Sequence, residues 1–166
     1  MMKIKRNQAA KSIWSNPVHL LAFGLGAGAS PYAPGTVGTL LAIPLVWLLA
    51  QWPLWVYLAV TVALFVIGVW VCEKTSKDIG VHDHSGIVFD EVVGYLITMI
   101  AVPVGLWTLL AGFFLFRLFD IVKPWPIRWL DKQVKGGFGI MIDDVLAGLF
   151  ALAVLWAGIY ALNVGY

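Results

Sequence analysis

Apolar and polar residues fall along this chain in long blocks, not with the short period of a soluble helix or strand. Residues 1–16 form a basic segment carrying Lys3, Lys5, Arg6 and Lys11. Residues 17–38 end in a Gly- and Pro-rich stretch, FGLGAGASPYAPGTVG from Phe23 to Gly38, which predicts a loop. Residues 39–72 hold no charge over 34 positions, too many for one membrane span and suited to two. Gln51-Trp52-Pro53 is the natural break, because proline ends one helix and opens the next. Residues 73–91 are polar, 92–116 charge-free, 117–144 charged again, and 145–166 charge-free. At about 1.5 Å per residue, that last block is long enough for one crossing.

Composition sharpens this pattern. The chain has 166 residues, of which 61% are hydrophobic and 12% charged, against about 25% charged in soluble domains. The shortfall, with nine Trp and nine Phe, predicts an integral membrane protein. Net charge is +2, so no strong overall field attracts nucleic acid. The single Cys72 excludes an intramolecular disulfide and a cysteine-rich metal site. Glycine and proline interrupt the region after the basic start, so a cleaved signal peptide is not expected.

Block 92–116 decides the topology. A single crossing would put the charged blocks on either side of it on opposite faces of the membrane. A hairpin turning at Pro103-Val-Gly105 keeps both, with the basic N-terminus, on the cytoplasmic face, as the positive-inside rule favours. Trp107 then joins Trp52 and Trp55 at the far interface. Each arm has only ~12 apolar residues, ~18 Å, against a hydrocarbon core of ~30 Å, so the arms must extend into the polar flanks or the bilayer must thin. The expected architecture is an all-α, multi-helix membrane bundle in one domain, with about five membrane-embedded helices and every charged segment on one side.

Charged residues at apolar boundaries are the candidate chemistry. Asp90-Glu91 and Asp143-Asp144 each precede an apolar run, in the weakly similar segments IVFDEVVG and IMIDDVLA. Helix capping accounts for one carboxylate per helix start but poorly for two. Were the two starts to meet, four carboxylates would form a hard-oxygen site suited to Mg²⁺. Arg117, Asp120 and Lys123 follow at three-residue spacing, which puts Arg117 and Asp120 on one helix face before Pro124 ends the helix. They fit an interfacial ion pair, or a cationic clamp on phosphate with Asp120 as ligand, nucleophile or base. Pro34-Gly35-Thr36-Val-Gly38-Thr39 opening a helix would offer free N–H groups to an anion, and Gly136-Gly137-x-Gly139 could do likewise; either could be only a flexible turn. His82-Asp83-His84 has no zinc-type spacing, and Asp83 is a candidate proton-transfer group.

Four blocks, in order, carry a resemblance. They are Pro31-Tyr-Ala-Pro34-Gly35-Thr36-Val-Gly38-Thr39-Leu, Ile87-Val-Phe-Asp90-Glu91-x-x-Gly94, Phe116-Arg117-x-Phe-Asp120-Ile-x-Lys123-Pro124-x-Pro126, and Gly136-Gly137-x-Gly139-Ile-Met-x-Asp143-Asp144-x-x-Ala147-Gly148. Together they resemble the phosphatidylglycerophosphatase A family of bacterial membrane enzymes. The resemblance implies Mg²⁺-dependent hydrolysis of phosphatidylglycerophosphate to phosphatidylglycerol, at the inner membrane with the site facing the cytoplasm. On that footing Asp90, Glu91, Asp143 and Asp144 are expected to hold Mg²⁺. Arg117 and Lys123, with Gly35, Thr36 and Thr39, are expected to bind phosphate. Asp120 is the candidate nucleophile or activator of water, and Asp83 a candidate base. The lipid and the bilayer are the expected partners, with no obligate protein partner. The rival readings are a phosphatase for another lipid, such as phosphatidic acid, and a small cation channel or transporter.

Overall fold

The structure, a computed structural model, describes residues 13–81 and 84–162, and every regular element among them is helical. The basic segment through residue 12 and the pair His82-Asp83 lie outside the described residues. Asn16 caps the first helix, α1 (Pro17–Ala22), its Oδ1 accepting from the Val18 N–H at 2.9 Å. A 3₁₀ segment, Gly24–Ala29, follows. The long elements are α2 (Pro34–Leu49), α3 (Leu54–Ile79), α4 (Phe89–Thr98) and α5 (Leu106–Val122), then a short α6 (Ile127–Gln133) and finally α7 (Gly136–Ala161).

The two expected breaks occur at 50–53 and 99–105, but the charged blocks are more helical than their composition suggests. α3 runs on through Glu73–Asp78, where Glu73–Lys77 at 2.6 Å and Lys74–Asp78 at 2.5 Å are i,i+4 pairs that support a helix as it leaves apolar surroundings. α5 continues through Arg117 and Asp120, and α7 begins nine residues before the apolar block does. The helix expected through Arg117 and Asp120 does end before Pro124, and most of the remaining charged block to 144, expected to be a loop, is helix as well. The stretch Phe23–Gly38 likewise holds the 3₁₀ segment and the first turn of α2.

α3 and α7, with 26 residues each, are long and apolar enough to cross a membrane, at roughly 39 Å against a core of ~30 Å. Only 22% of the apolar stretch of α3 is buried, and Trp55, Leu58, Val62, Val66 and Trp70 point outward. A soluble core helix would hide these side chains.

α4 is the opposite case. At ten residues it spans ~15 Å, and eight of the ten are buried among α2, α3, α5 and α7. The two arms of the 92–116 hairpin are thus unequal: a short enclosed one and a 17-residue outer one. Enclosure satisfies the short arm's backbone. The Tyr57 hydroxyl donates to the Leu96 carbonyl at 2.7 Å in the last turn of α4, a carbonyl that also accepts from the Met99 N–H of the cap at 3.2 Å. The Tyr95 hydroxyl donates to Leu109 O at 2.8 Å on α5. In the turn, Thr108 Oγ1 donates to the Pro103 carbonyl at 2.6 Å and accepts from the Gly105 N–H at 2.9 Å. Irregular backbone inside a membrane protein is tolerated where protein covers it in this way.

α4 and α7 run side by side in the same direction and touch backbone to backbone. A Cβ on Gly148 would lie 2.4 Å from the Gly94 carbonyl oxygen, and one on Gly94 would lie 2.9 Å from the Asp144 oxygen. Only glycine permits this approach. α7 meets α3 just as closely, since a Cβ on Gly137 would sit 1.9 Å from Val69 O. Gly136-Gly137-x-Gly139 is therefore the first turn of a helix packed against its neighbour, not a flexible anion loop. The α7 start is closed off by Glu73, whose Oε2 accepts from the Gly137 N–H.

Candidate active site

The element directions follow from these contacts. α2, α4 and α7 begin at one end of the bundle, α3 and α5 finish there, and the breaks at 50–53 and 99–105 lie at the other. At the first end is a cavity of about 280 Å³, lined by Ala33, Pro34 and Gly35 before and on α2, Ser85 and Ile87 of the preceding loop, Asp90 and Glu91 on α4, Arg117 and Asp120 on α5, Lys123, and Asp143 and Asp144 on α7. Residues from four blocks far apart in sequence meet here.

The glycine crossing explains why the carboxylates converge. Asp90 lies four residues before Gly94, and Asp144 four before Gly148. Each is one helical turn nearer the cavity than its glycine and on the same face. The backbone contact of Gly94 with Gly148 therefore carries Asp90 and Asp144 together. The structural correspondence between the two acidic segments pairs Asp90 with Asp144, one position off the alignment that matches Asp90-Glu91 to Asp143-Asp144. Capping also fails for the second pair. Asp90 and Glu91 are in the first turn of α4, but Asp143 and Asp144 are two turns into α7.

One carboxylate oxygen from each of Asp90, Glu91 and Asp144 lies within 4.8 Å of the others. Glu91 Oε2 and Asp144 Oδ2 are buried and accept no hydrogen bond. Buried carboxylate oxygens without a donor are costly unless a cation compensates them. A set of hard oxygens with open valences fits a metal ion of the Mg²⁺ or Ca²⁺ kind. Asp143 does not join this group: its Oδ2 is bound by the Lys123 ammonium. Asp120 is held by Arg117, with Nη1 2.7 Å from Asp120 Oδ2 and 3.8 Å from Glu91 Oε1.

Lys123 ends α5 in a left-handed conformation, φ 44°, which is strained for a side chain other than glycine and turns the chain back on itself. The turn lets Lys123 Nζ bridge Asp143 and, at 2.9 Å, Asp131 on α6. Partial burial works against its charge, but Asp143 and Asp131 outweigh burial and hold the ammonium well above the ordinary lysine range.

At the start of α2, Pro34 has no N–H, and the next two N–H groups, of Gly35 and Thr36, precede the first helical bond. No side chain caps them. Gly35 faces the cavity so closely that a Cβ there would lie 2.2 Å from Glu91 Oε1. The threonines behave otherwise than expected. Thr39 is fully buried, with its hydroxyl donating to the Gly35 carbonyl at 2.9 Å, and neither its side chain nor that of Thr36 lines the cavity. Asp83 falls outside the described residues. Asp131, Ser85 and Glu73 are contributors that spacing does not reveal. Asp131 depends on the turn at Lys123, and Ser85 on the close contact of Gly86 with Gly28.

Arranged this way, the cavity sets five carboxylates and two cations around a helix start with spare donors, an arrangement able to hold a metal ion and an anion side by side. Known proteins resemble this chain over most of its length. No solved structure matches the chain. It is 50% identical over 143 residues to phosphatidylglycerophosphatase A of Escherichia coli (strain K12), a match covering 86% of this chain and 83% of the relative. It is 47% identical over 155 residues to phosphatidylglycerophosphatase A of Haemophilus influenzae (strain ATCC 51907 / DSM 11121 / KW20 / Rd), covering 92% and 95%. The family model described as Phosphatidylglycerophosphatase A matches residues 20–159, a span that contains every described residue of the cavity, and the chain belongs to that family.

Proposed function

We propose that this chain hydrolyses the terminal phosphomonoester of phosphatidylglycerophosphate, releasing phosphate and phosphatidylglycerol for phospholipid biosynthesis, and that it does so with Mg²⁺. The observation that carries the reading is the meeting of Asp90, Glu91 and Asp144 beside Arg117, Lys123 and the open start of α2. Five carboxylates would repel a phosphate dianion; a divalent ion, when bound, would supply the missing positive charge and polarise the phosphoryl group.

The residues then divide the work. Asp90, Glu91 and Asp144 would hold the metal. Asp143 and Asp131 keep the Lys123 ammonium charged and aimed at the cavity, where it meets a phosphate oxygen. The Gly35 and Thr36 N–H groups donate to a second oxygen, helped by the positive end of the α2 dipole. Arg117 neutralises a third and holds Asp120 in place. Asp120 accepts a hydrogen bond from the attacking water and orients it. Such displacements depend chiefly on positioning and charge stabilisation, which these groups provide. Asp83 stands as an additional candidate base.

In this reading the bundle is a multi-pass protein of the inner membrane. α3 and α7 span it, α2, α4 and α5 complete five embedded helices, and the cavity end faces the cytoplasm, where Lys and Arg concentrate. The lipid's acyl chains stay in the bilayer while its headgroup reaches the cavity.

The test is phosphate release by the purified full chain in detergent micelles, from phosphatidylglycerophosphate and from phosphatidic acid, with and without EDTA. Release from phosphatidylglycerophosphate should stop on chelation and return with added Mg²⁺. Preference for phosphatidic acid would move the substrate assignment to another lipid. Cation flux in vesicles without phosphate release from either lipid would make the protein a transporter.

A further inference from the structure

A second cavity, of about 430 Å³, opens beside the first and shares Lys123 with it. Its other polar walls are Arg128 and Lys132, with Trp125 and Trp129 between them. It has the opposite electrostatic character to its neighbour: three cations and no carboxylate line it. The cause is the amphipathic pattern of α6. Ile127 is buried and Asp131, four residues on, turns inward to Lys123, while Arg128, Trp129 and Lys132 occupy the other face. Arg128 Nη2 donates to the Val122 carbonyl at 3.1 Å at the end of α5, which fixes the guanidinium at the wall while its fork has further donors to offer. Trp125 is 82% exposed and Trp129 55%. Indoles held open beside cations suit the headgroup layer of a membrane, and their N–H groups donate there.

In the first cavity the two cations, Arg117 and Lys123, face five carboxylates, so the counter-charge for a second anion lies in the neighbouring cavity, where no carboxylate competes. Phosphatidylglycerophosphate carries a second anionic group, the phosphodiester, one glycerol away from the phosphomonoester. Resting on the function proposed above, we propose that the Arg128–Lys132 cavity holds this phosphodiester, so that the two cavities read the two phosphates and Lys123 stands between them. Arg128 and Lys132 are then specificity-determining residues, which favour this substrate over lipids that bear a phosphomonoester alone. The product keeps its phosphodiester, so phosphatidylglycerol remains bound in this cavity after phosphate has left.

The test uses the full chain in mixed micelles and the double variant Arg128→Gln/Lys132→Gln, with Lys132→Gln alone as a milder version should the double variant fail to fold. Loss of charge-assisted contacts should raise KM for phosphatidylglycerophosphate roughly tenfold, with kcat nearly unchanged. Inhibition by phosphatidylglycerol should weaken by a similar factor, while inhibition by inorganic phosphate stays as in the wild type. Unchanged KM and unchanged phosphatidylglycerol inhibition would overturn the proposal. So would equal weakening of inhibition by phosphatidylglycerol and by phosphatidic acid, which has no phosphodiester, because that marks a general dock for anionic lipid. A wild-type protein that releases no phosphate from phosphatidylglycerophosphate would instead refute the proposed function, and this proposal with it, before any variant is made.

Discussion

Asp144→Asn should lower phosphate release by roughly 10³-fold or more, the several kcal/mol of transition-state stabilisation that a metal supplies in such reactions. The same substitution should leave the fold intact. Asp144 is 3% exposed, and its Oδ2 is buried without a hydrogen bond. Asparagine has nearly the same shape, so packing against α4 survives, while a buried charge next to Asp120 and Glu91 disappears. Thermal stability of the metal-free protein should therefore be equal to or higher than wild type, the usual sign of a residue kept for function at the expense of stability. Added Mg²⁺ should raise the melting temperature of the wild type and not of the variant, because a ligand stabilises only a state that binds it. Thermal scans in detergent with and without Mg²⁺, beside phosphate-release assays, check both directions. Wild-type turnover in the variant would remove Asp144 from the metal site.

Gly35→Ala is the second large effect, and its cause is steric. Gly35 is helical, so alanine fits its backbone and would by propensity favour the helix by about 1 kcal/mol. The added Cβ would nevertheless lie 2.2 Å from Glu91 Oε1 and 3.0 Å from Arg117 Nη1. Both must move, and the Glu91 carboxylate moves away from Asp90 and Asp144. Displacements near an ångström in such sites cost on the order of 10²-fold in rate. Activity should fall by about that factor while helix content and melting temperature hold. Gly158→Ala is the control: it lies in α7 with nothing within 4 Å of a new Cβ, and should be silent. If Gly35→Ala turns over like Gly158→Ala, the packing of α2 against Glu91 has no part in catalysis.

Much of this arrangement is legible in the sequence. Prolines 53 and 103 punctuate the chain where it turns, so both breaks can be read. The acidic pairs stand out because carboxylates are rare in so apolar a chain. What hides is of three kinds. Hydropathy marks where apolarity ends, not where the helix ends, so Glu73–Asp78 looks like loop although its i,i+4 pairs continue the helix. Glycine suggests flexibility, yet Gly137, Gly94 and Gly148 serve close packing, and only the neighbouring backbone reveals it. Hydroxyls and carboxylates suggest ligands wherever they occur, but Thr39 spends its hydroxyl on the Gly35 carbonyl and Asp143 its carboxylate on Lys123. Asp131 cannot be anticipated at all, because it reaches the site through the left-handed turn at Lys123.

The enclosure of α4 has a mechanical consequence. The helix that carries Asp90 and Glu91 touches protein on nearly every side, while α3 and α7 present their apolar flanks outward. In the membrane orientation proposed above, changes in acyl-chain length or in membrane tension would act on the outer pair, which can tilt to absorb them. The glycine contact between α4 and α7 couples the two helices, so Asp90 and Asp144 move together when α7 moves. A tilt of α7 then carries the paired carboxylates as one unit and does not pull them apart.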